Sequence, residues 1–209
     1  MKSDEAWQVI AEQRLSLADL LADLSDAECE KQSLCAGWRT RDVAAHIAMT
    51  PLTTTAKTLI VEGLRARGDF HRLNHDLAVR HADTRSTAQI VGELREHAHS
   101  RKLPALTNYR NVLFDVLVHG QDISIPLGRA RNMPVAAARA GAERVWAMGW
   151  PFHARRRLRG LRLVASDTDW SAGDGTEVRG TVQALLLLLT GRTAAALSQL
   201  DGPGVVRLC

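Results

Sequence analysis

Apolar positions recur at helical spacing through most of the chain. Trp7, Ile10, Ala11, Arg14, Leu17, Leu20, Leu21 and Leu24 repeat every three or four residues, which predicts a helix over 4–24. Ser25-Asp-Ala-Glu28 has the capping-box pattern and opens a short second helix. Ser33-Leu-Cys-Ala-Gly37-Trp38 reads as a turn closing on an aromatic residue. Thr40 is expected to cap a long helix running from 41 toward 65, with Val43, Ile47, Leu59 and Val61 as its apolar stripe. Pro51 predicts a kink or break in it. Residues 68–85 are polar and read as a loop with a short helix. A second capping box, Ser86-Thr-Ala-Gln89, starts a helix through about 100. After the Leu103-Pro104 connector a further helix is expected over 107–123, and Pro134 begins another through about 149.

Beyond that point the period shortens. Ala154-Arg-Arg-Arg-Leu-Arg-Gly160 is a basic connector, Leu161–Ala165 alternates like a strand, and Ser171-Ala-Gly-Asp-Gly175 resembles a hairpin turn before a strand at 177–179. Thr181 caps a leucine-rich helix ending at Gly191, and Val205–Leu208 is expected as a closing strand. The division that follows is a helical bundle over 1–153 and a small α/β region over 154–209.

The segment Asn111-Val-Leu-Phe-Asp115-Val-Leu-Val-His119-Gly-Gln-Asp122 changes the picture from fold to chemistry. Asp115 sits among Val, Leu and Phe, and a carboxylate in such a helix must be paired, hydrogen-bonded or metal-bound. Asp115 and His119 are four apart and share one helix face. Either they form a core hydrogen bond or they hold a metal. A metal needs a third donor, and His46, flanked by small alanines on another helix, is the best candidate. Two imidazoles and a carboxylate leave an open coordination position and suit Zn²⁺, with Fe²⁺ or Ni²⁺ as alternatives. Asp122, one turn past His119, is read either as the group that orients that imidazole or as a helix C-terminal charge. His71 and His75 are a rival pair in a polar stretch. His81 and His153 are read as surface residues, and His97 and His99 cannot share a face. Cys35 reads more readily as a small hydrophobe than as a nucleophile.

Composition narrows the classes. The longest apolar run, Ala184–Leu189, is far too short to span a bilayer, and the first residues lack an apolar signal core. Cys29, Cys35 and Cys209 are odd in number and have no CxxC spacing, which fits a reducing cytoplasm. The pI near 9.3 and the arginines at 155–159 raise nucleic-acid binding, but aromatic residues are only 4% of the chain and none interleaves with the basic run. No nucleic-acid or membrane partner is therefore expected. The remaining partners are a small molecule and, for protein contacts, a candidate homodimer.

Three stretches carry a resemblance. Ser33-Leu-Cys-Ala-Gly-Trp-Arg-Thr-Arg-Asp-Val-Ala-Ala-His46 is similar to the N-terminal motif of the mycothiol-dependent maleylpyruvate isomerase family, within the DinB-like superfamily. Asp115-x-x-x-His119-Gly-Gln-Asp-Ile-x-x-Pro-Leu-Gly128 resembles its second motif. Asp169–Gly180, Leu-Thr-Gly-Arg192 and Leu200-Asp-Gly-Pro-Gly204 resemble its C-terminal region, leaving 53–109 weakly marked. The resemblance implies a mainly α, DinB-like four-helix bundle with a small C-terminal α/β region. It also implies a His/acidic/His metal triad, usually zinc, at His46, Asp115 and His119. The family's isomerase has Glu where this chain has Asp115, a shorter carboxylate with a different reach. It also uses an arginine from its C-terminal domain, and Arg192 matches that element. The implied activity is metal-dependent S-transfer, or isomerisation of a small electrophile, using a low-molecular-weight thiol such as mycothiol. A non-catalytic metal-binding or stress-response protein is the alternative, and hydrolysis by a metal-activated water fits the same ligands.

Overall fold

The computed structural model describes residues 1–52, 69–104 and 107–208. The fold is mainly helical with a small C-terminal sheet, and its residues pack as two units.

The first unit comprises residues 2–112 and 119–131. Its helices are α1 (Ser3–Ala22), α2 (Asp26–Cys29), α3 (Thr40–Met49), α4 (Phe70–Asp83) and α5 (Thr87–Glu96), with the ends of α6 (Tyr109–Ser124). α1 buries Trp7, Ile10, Leu17 and Leu21 and packs on α5, which contributes Ile90, Val91 and Leu94. Arg14 lies in this apolar stripe and is 1% exposed. Its Nη1 donates to the carbonyls of Ala98 and Ser100 at 3.2 and 3.0 Å, in the turn that follows α5. α2 begins with the expected box, Ser25 and Glu28 each bonding the other's backbone.

The cap of α3 falls one residue earlier than its sequence suggests. Arg39 is the N-cap and Thr40 the first helical residue, because Asp42 accepts from the Arg39 backbone N–H at 2.7 Å. α3 ends at Met49, two residues before Pro51, whose ring lacks the N–H a helix interior needs. The rest of the expected helix toward 65 lies outside the described residues. Residues 70–83, expected as mostly loop, form a full helix. Among its described side chains the buried positions are alanines, Ala78 and Ala82, both fully buried. Alanine at four-residue spacing lets α4 lie close on α3 without a strong hydropathy signal.

The second unit comprises Leu113–Val118 and residues 132–208. It holds the middle of α6, α7 (Val135–Ala147), the short α8 (Ala154–Arg157), β1 (Gly160–Ala165), β2 (Ser171–Ala172), β3 (Gly175–Gly180), α9 (Val182–Leu189), α10 (Thr193–Leu197) and β4 (Leu200–Asp201). Pro134 is the N-cap of α7 rather than its first residue. α9 packs against α7 and against β1 and β3, so it buries every residue but Gln183 and needs leucine all round. The sheet order is β2-β1-β3-β4, with β1 and β3 parallel.

Two expectations about this sheet are corrected. Ser171–Gly175 is not a hairpin turn: Ser171 and Ala172 form an edge strand on β1, and the left-handed Gly173 and Gly175 (φ +80° and +128°) return the chain to a parallel strand. A side chain at Gly175 would run into the Gly160 carbonyl, so glycine there permits close backbone approach. Val205–Arg207 is a 3₁₀ turn, and Leu200–Asp201 is the closing strand instead.

The basic run is structural in part. Arg157 Nη2 donates to the carbonyls of Leu188 and Leu189 at 3.0 and 2.8 Å, closing the end of α9, and Arg155 Nε donates to Trp146 O at 2.8 Å. Two of the arginines behind the nucleic-acid reading thus satisfy helix-end carbonyls.

Candidate metal centre

The loop 33–38 is built before it is functional. Ser33 N donates to Trp38 O at 2.9 Å and Ser33 Oγ to the same carbonyl at 2.8 Å, while Gln32 Nε2 donates to the carbonyls of Cys35 and Trp38. Gly37 takes φ +79°, the left-handed conformation that closes the turn. Leu34 N donates to Asp122 O at 3.0 Å, pinning the loop to α6.

α3 leaves this loop with a fixed start. Asp42 is 1% exposed and receives Arg39 Nη2 at 2.8 Å and Nε at 2.9 Å. Asp42 first, then Asp83, hold the Arg39 guanidinium protonated well above its ordinary pKa. His46 is one turn further along α3. We expect Arg39→Ala to cost about 1–2 kcal/mol of stability, because a buried carboxylate loses its cation while Arg39 itself stays partly in water. Thermal unfolding of the variant measures it, and an unchanged midpoint would contradict the assignment.

Along α6, residues on nearly every side of Asp115 and His119 are buried, from Val112 to Val118 and again from Gly120 to Ser124. Asp115 itself is half-buried, as are Asn111 and His119. The polar residues at four-residue spacing thus form a seam with partial access to solvent. The requirement that Asp115 be compensated as a fully buried charge is relaxed accordingly. His46, Asp115 and His119 each offer a donor atom, and the three atoms lie within 4.8 Å of one another. The imidazoles of His46 and His119 meet edge to face with centroids 5.0 Å apart. Trp38 stacks on His119 at 6.3 Å and 13°, and meets His46 edge-on at 5.5 Å.

Asp122 is fully buried, and its Oδ2 lies 2.8 Å from His119 Nδ1. Asp122 is thus no exposed helix-end charge, and its carboxylate bonds the imidazole. A neutral ring that donates from Nδ1 carries its lone pair on Nε2, the nitrogen then suited to a metal. The same Oδ2 accepts from Cys35 Sγ at 3.0 Å, and Sγ lies 3.8 Å from His119 Nδ1. Cys35 is therefore part of a polar cluster and not a simple hydrophobe. Its place depends on the Leu34–Asp122 backbone bond, which joins residues 88 apart in sequence and leaves no periodic signal. Cys29 is the buried apolar thiol, and burial pushes its pKa up.

The other histidines are placed as follows. His75 meets Trp38 edge-on at 5.9 Å and bonds Asp76 at 3.0 Å, and His71 is exposed. Neither belongs to a three-donor group among the described residues. His81, expected at the surface, is partly buried and bonds Glu93 at 2.6 Å. Arg192 is the N-cap of α10, and its Nη1 donates to Thr190 O at 2.8 Å.

No helix among the described residues is long and apolar enough to cross a membrane. Residues 10–107 match the family model of the mycothiol maleylpyruvate isomerase N-terminal domain. No curated protein matches the sequence. The fold is similar to the crystal structure of the mycothiol-dependent maleylpyruvate isomerase, with a TM-score of 0.62 at 15% identity, covering 92% of this chain and 90% of that one. It is equally similar to a histidine-to-alanine mutant of that isomerase, with a TM-score of 0.64 at 14% identity over 97% and 93% of the two chains. At these identities the likeness is one of fold.

Proposed function

We propose that this chain, whose residues 10–107 match the family model of the mycothiol maleylpyruvate isomerase N-terminal domain, is a metal-dependent enzyme. It joins a low-molecular-weight thiol to a small electrophile, for S-transfer or for isomerisation through the adduct. The observation that carries this reading is the convergence of His46, Asp115 and His119 within 4.8 Å, with the His119 ring oriented by buried Asp122. The donor set fits a divalent cation, Zn²⁺ first: two imidazoles and one carboxylate leave a position for an exogenous ligand. A cation held there supplies Lewis acidity that lowers the pKa of a thiol.

The protein's own groups do the rest. Asp122 keeps the Nδ1 proton of His119 in place, so the ring presents one fixed tautomer. Trp38 packs against the faces and edges of the imidazoles and limits their rotation. Asp115, shorter than glutamate, reaches the cluster from one turn away on the same rigid helix as His119. Arg192 binds a carboxylate of the substrate through its guanidinium fork. The three cysteines, odd in number and without CxxC spacing, support a reducing, cytoplasmic setting.

The test is turnover of a panel of electrophiles with and without mycothiol. Thiol-dependent product formation supports the reading. Turnover without thiol transfers the site to hydrolysis, and no turnover with metal bound leaves a binding protein. Arg192→Ala is expected to raise KM for a carboxylate-bearing substrate by about 10–100-fold, the loss of one charge-assisted contact. Arg192→Lys should recover part of it, and an unchanged KM removes Arg192 from the site.

A further inference from the structure

We propose that Cys35, His119 and Asp122 form a second, thiophilic metal site, which takes a soft cation such as Cd²⁺ through a thiolate, an imidazole and a carboxylate. All three donors lie in the first packing unit, where the 33–38 loop is pinned to α6. Their atoms are separated by 2.8, 3.0 and 3.8 Å. Donors around a tetrahedral ion stand about 3.3–3.8 Å apart for bonds of about 2.0–2.3 Å. Those spacings are zinc's, and for the longer bonds of Cd²⁺ the 2.8 and 3.0 Å edges must open by up to about 1 Å, while the 3.8 Å edge between Sγ and Nδ1 is already close to the spacing needed. Cys35 and His119 are half-buried, which gives entry, while Asp122 is fully buried and anchors the floor. The loop is braced by the Gln32 and Ser33 bonds, so the thiol is held ready and little ordering remains for binding. A thiolate selects soft cations over the harder ions that carboxylates and water prefer.

The exchange balances simply. The cation replaces the Cys35 thiol proton, which goes to solvent, and accepts electron pairs from Sγ, from Asp122 and from His119 Nδ1. The His119 proton moves to Nε2. His119 then turns its lone pair away from any ion it would share with His46 and Asp115, so the two groups cannot use it at once. A soft cation thereby competes with the proposed catalytic one. This last consequence rests on the proposed function, whereas the site itself does not.

Titrating Cd²⁺ into the metal-free protein tests it through the ultraviolet thiolate-to-cadmium band. One equivalent is expected to produce the band. Cys35→Ser should lose it although Cys29 and Cys209 remain, and His46→Ala should keep it. X-ray absorption of the wild-type cadmium protein guards against a misfolded variant: one sulfur with nitrogen and oxygen neighbours is expected. No band, a band unchanged in Cys35→Ser, a band lost in His46→Ala, or a sulfur-free shell each overturns the proposal. Retention in His46→Ala also separates it from failure of the catalytic reading.

Discussion

His46→Ala is expected to purify without divalent metal, where the wild type is expected to carry about one per chain, and to have no thiol-dependent turnover. The variant removes one of three donors that converge within 4.8 Å, and two remaining donors on one helix do not enclose an ion. The fold should survive, because His46 is half-buried and its loss opens no cavity in the α3 stripe of Val43, Ala44, Ile47 and Ala48. A change within about 1 kcal/mol is the expectation for such a position. Elemental analysis and thermal unfolding measure both at once. Zinc at about a hundred times its Kd should stabilise the wild type by about 2.7 kcal/mol and leave the variant unmoved. Asp115→Ala and His119→Ala should behave alike. Metal retained in His46→Ala, with turnover intact, would remove the triad from consideration.

Asp122→Asn is expected to lower metal affinity or turnover by about 10–100-fold, although Asp122 is itself no member of the triad. The carboxylate can only accept from His119 Nδ1–H, which fixes the lone pair on Nε2. Asparagine can also donate through its amide, which favours the opposite tautomer and turns the lone pair away from the metal. The same change removes the charge that accepts from Cys35 Sγ, so some stability is lost with it. Metal affinity by competition with a chelator, read beside the unfolding midpoint, separates the two effects. Wild-type affinity in a destabilised variant would make Asp122 structural only.

Helices were legible where a periodic stripe met a cap. α1, α2, α5 and α9 follow from Trp7 to Leu21, Ser25, Ser86 and Thr181 within a few residues. α4 was not legible, because among its described side chains the buried positions are alanines whose worth is the closeness they allow and not their own hydropathy. The sheet was half legible. Alternation marks β1, but whether glycines turn a hairpin or lead into a parallel strand depends on the carbonyl of Gly160 that Gly175 must pass.

The candidate site divides in the same way. By itself the sequence determined that Asp115 and His119 share a helix face, because 3.6 residues per turn leaves no other arrangement, and it singled out His46 by its alanine-lined surroundings. It also carried the family likeness, since those motifs are strings of residues. Only the tertiary structure decided that Asp122 bonds His119, that Cys35 shares that carboxylate, and that Trp38 packs against both histidines. The Cys35 and Trp38 contacts to Asp122 and His119 join α6 to a loop more than eighty residues earlier, which a backbone bond from Leu34 to Asp122 holds in place. Such a contact is set by how helices pack, and packing couples positions whose separation along the chain has no period to read.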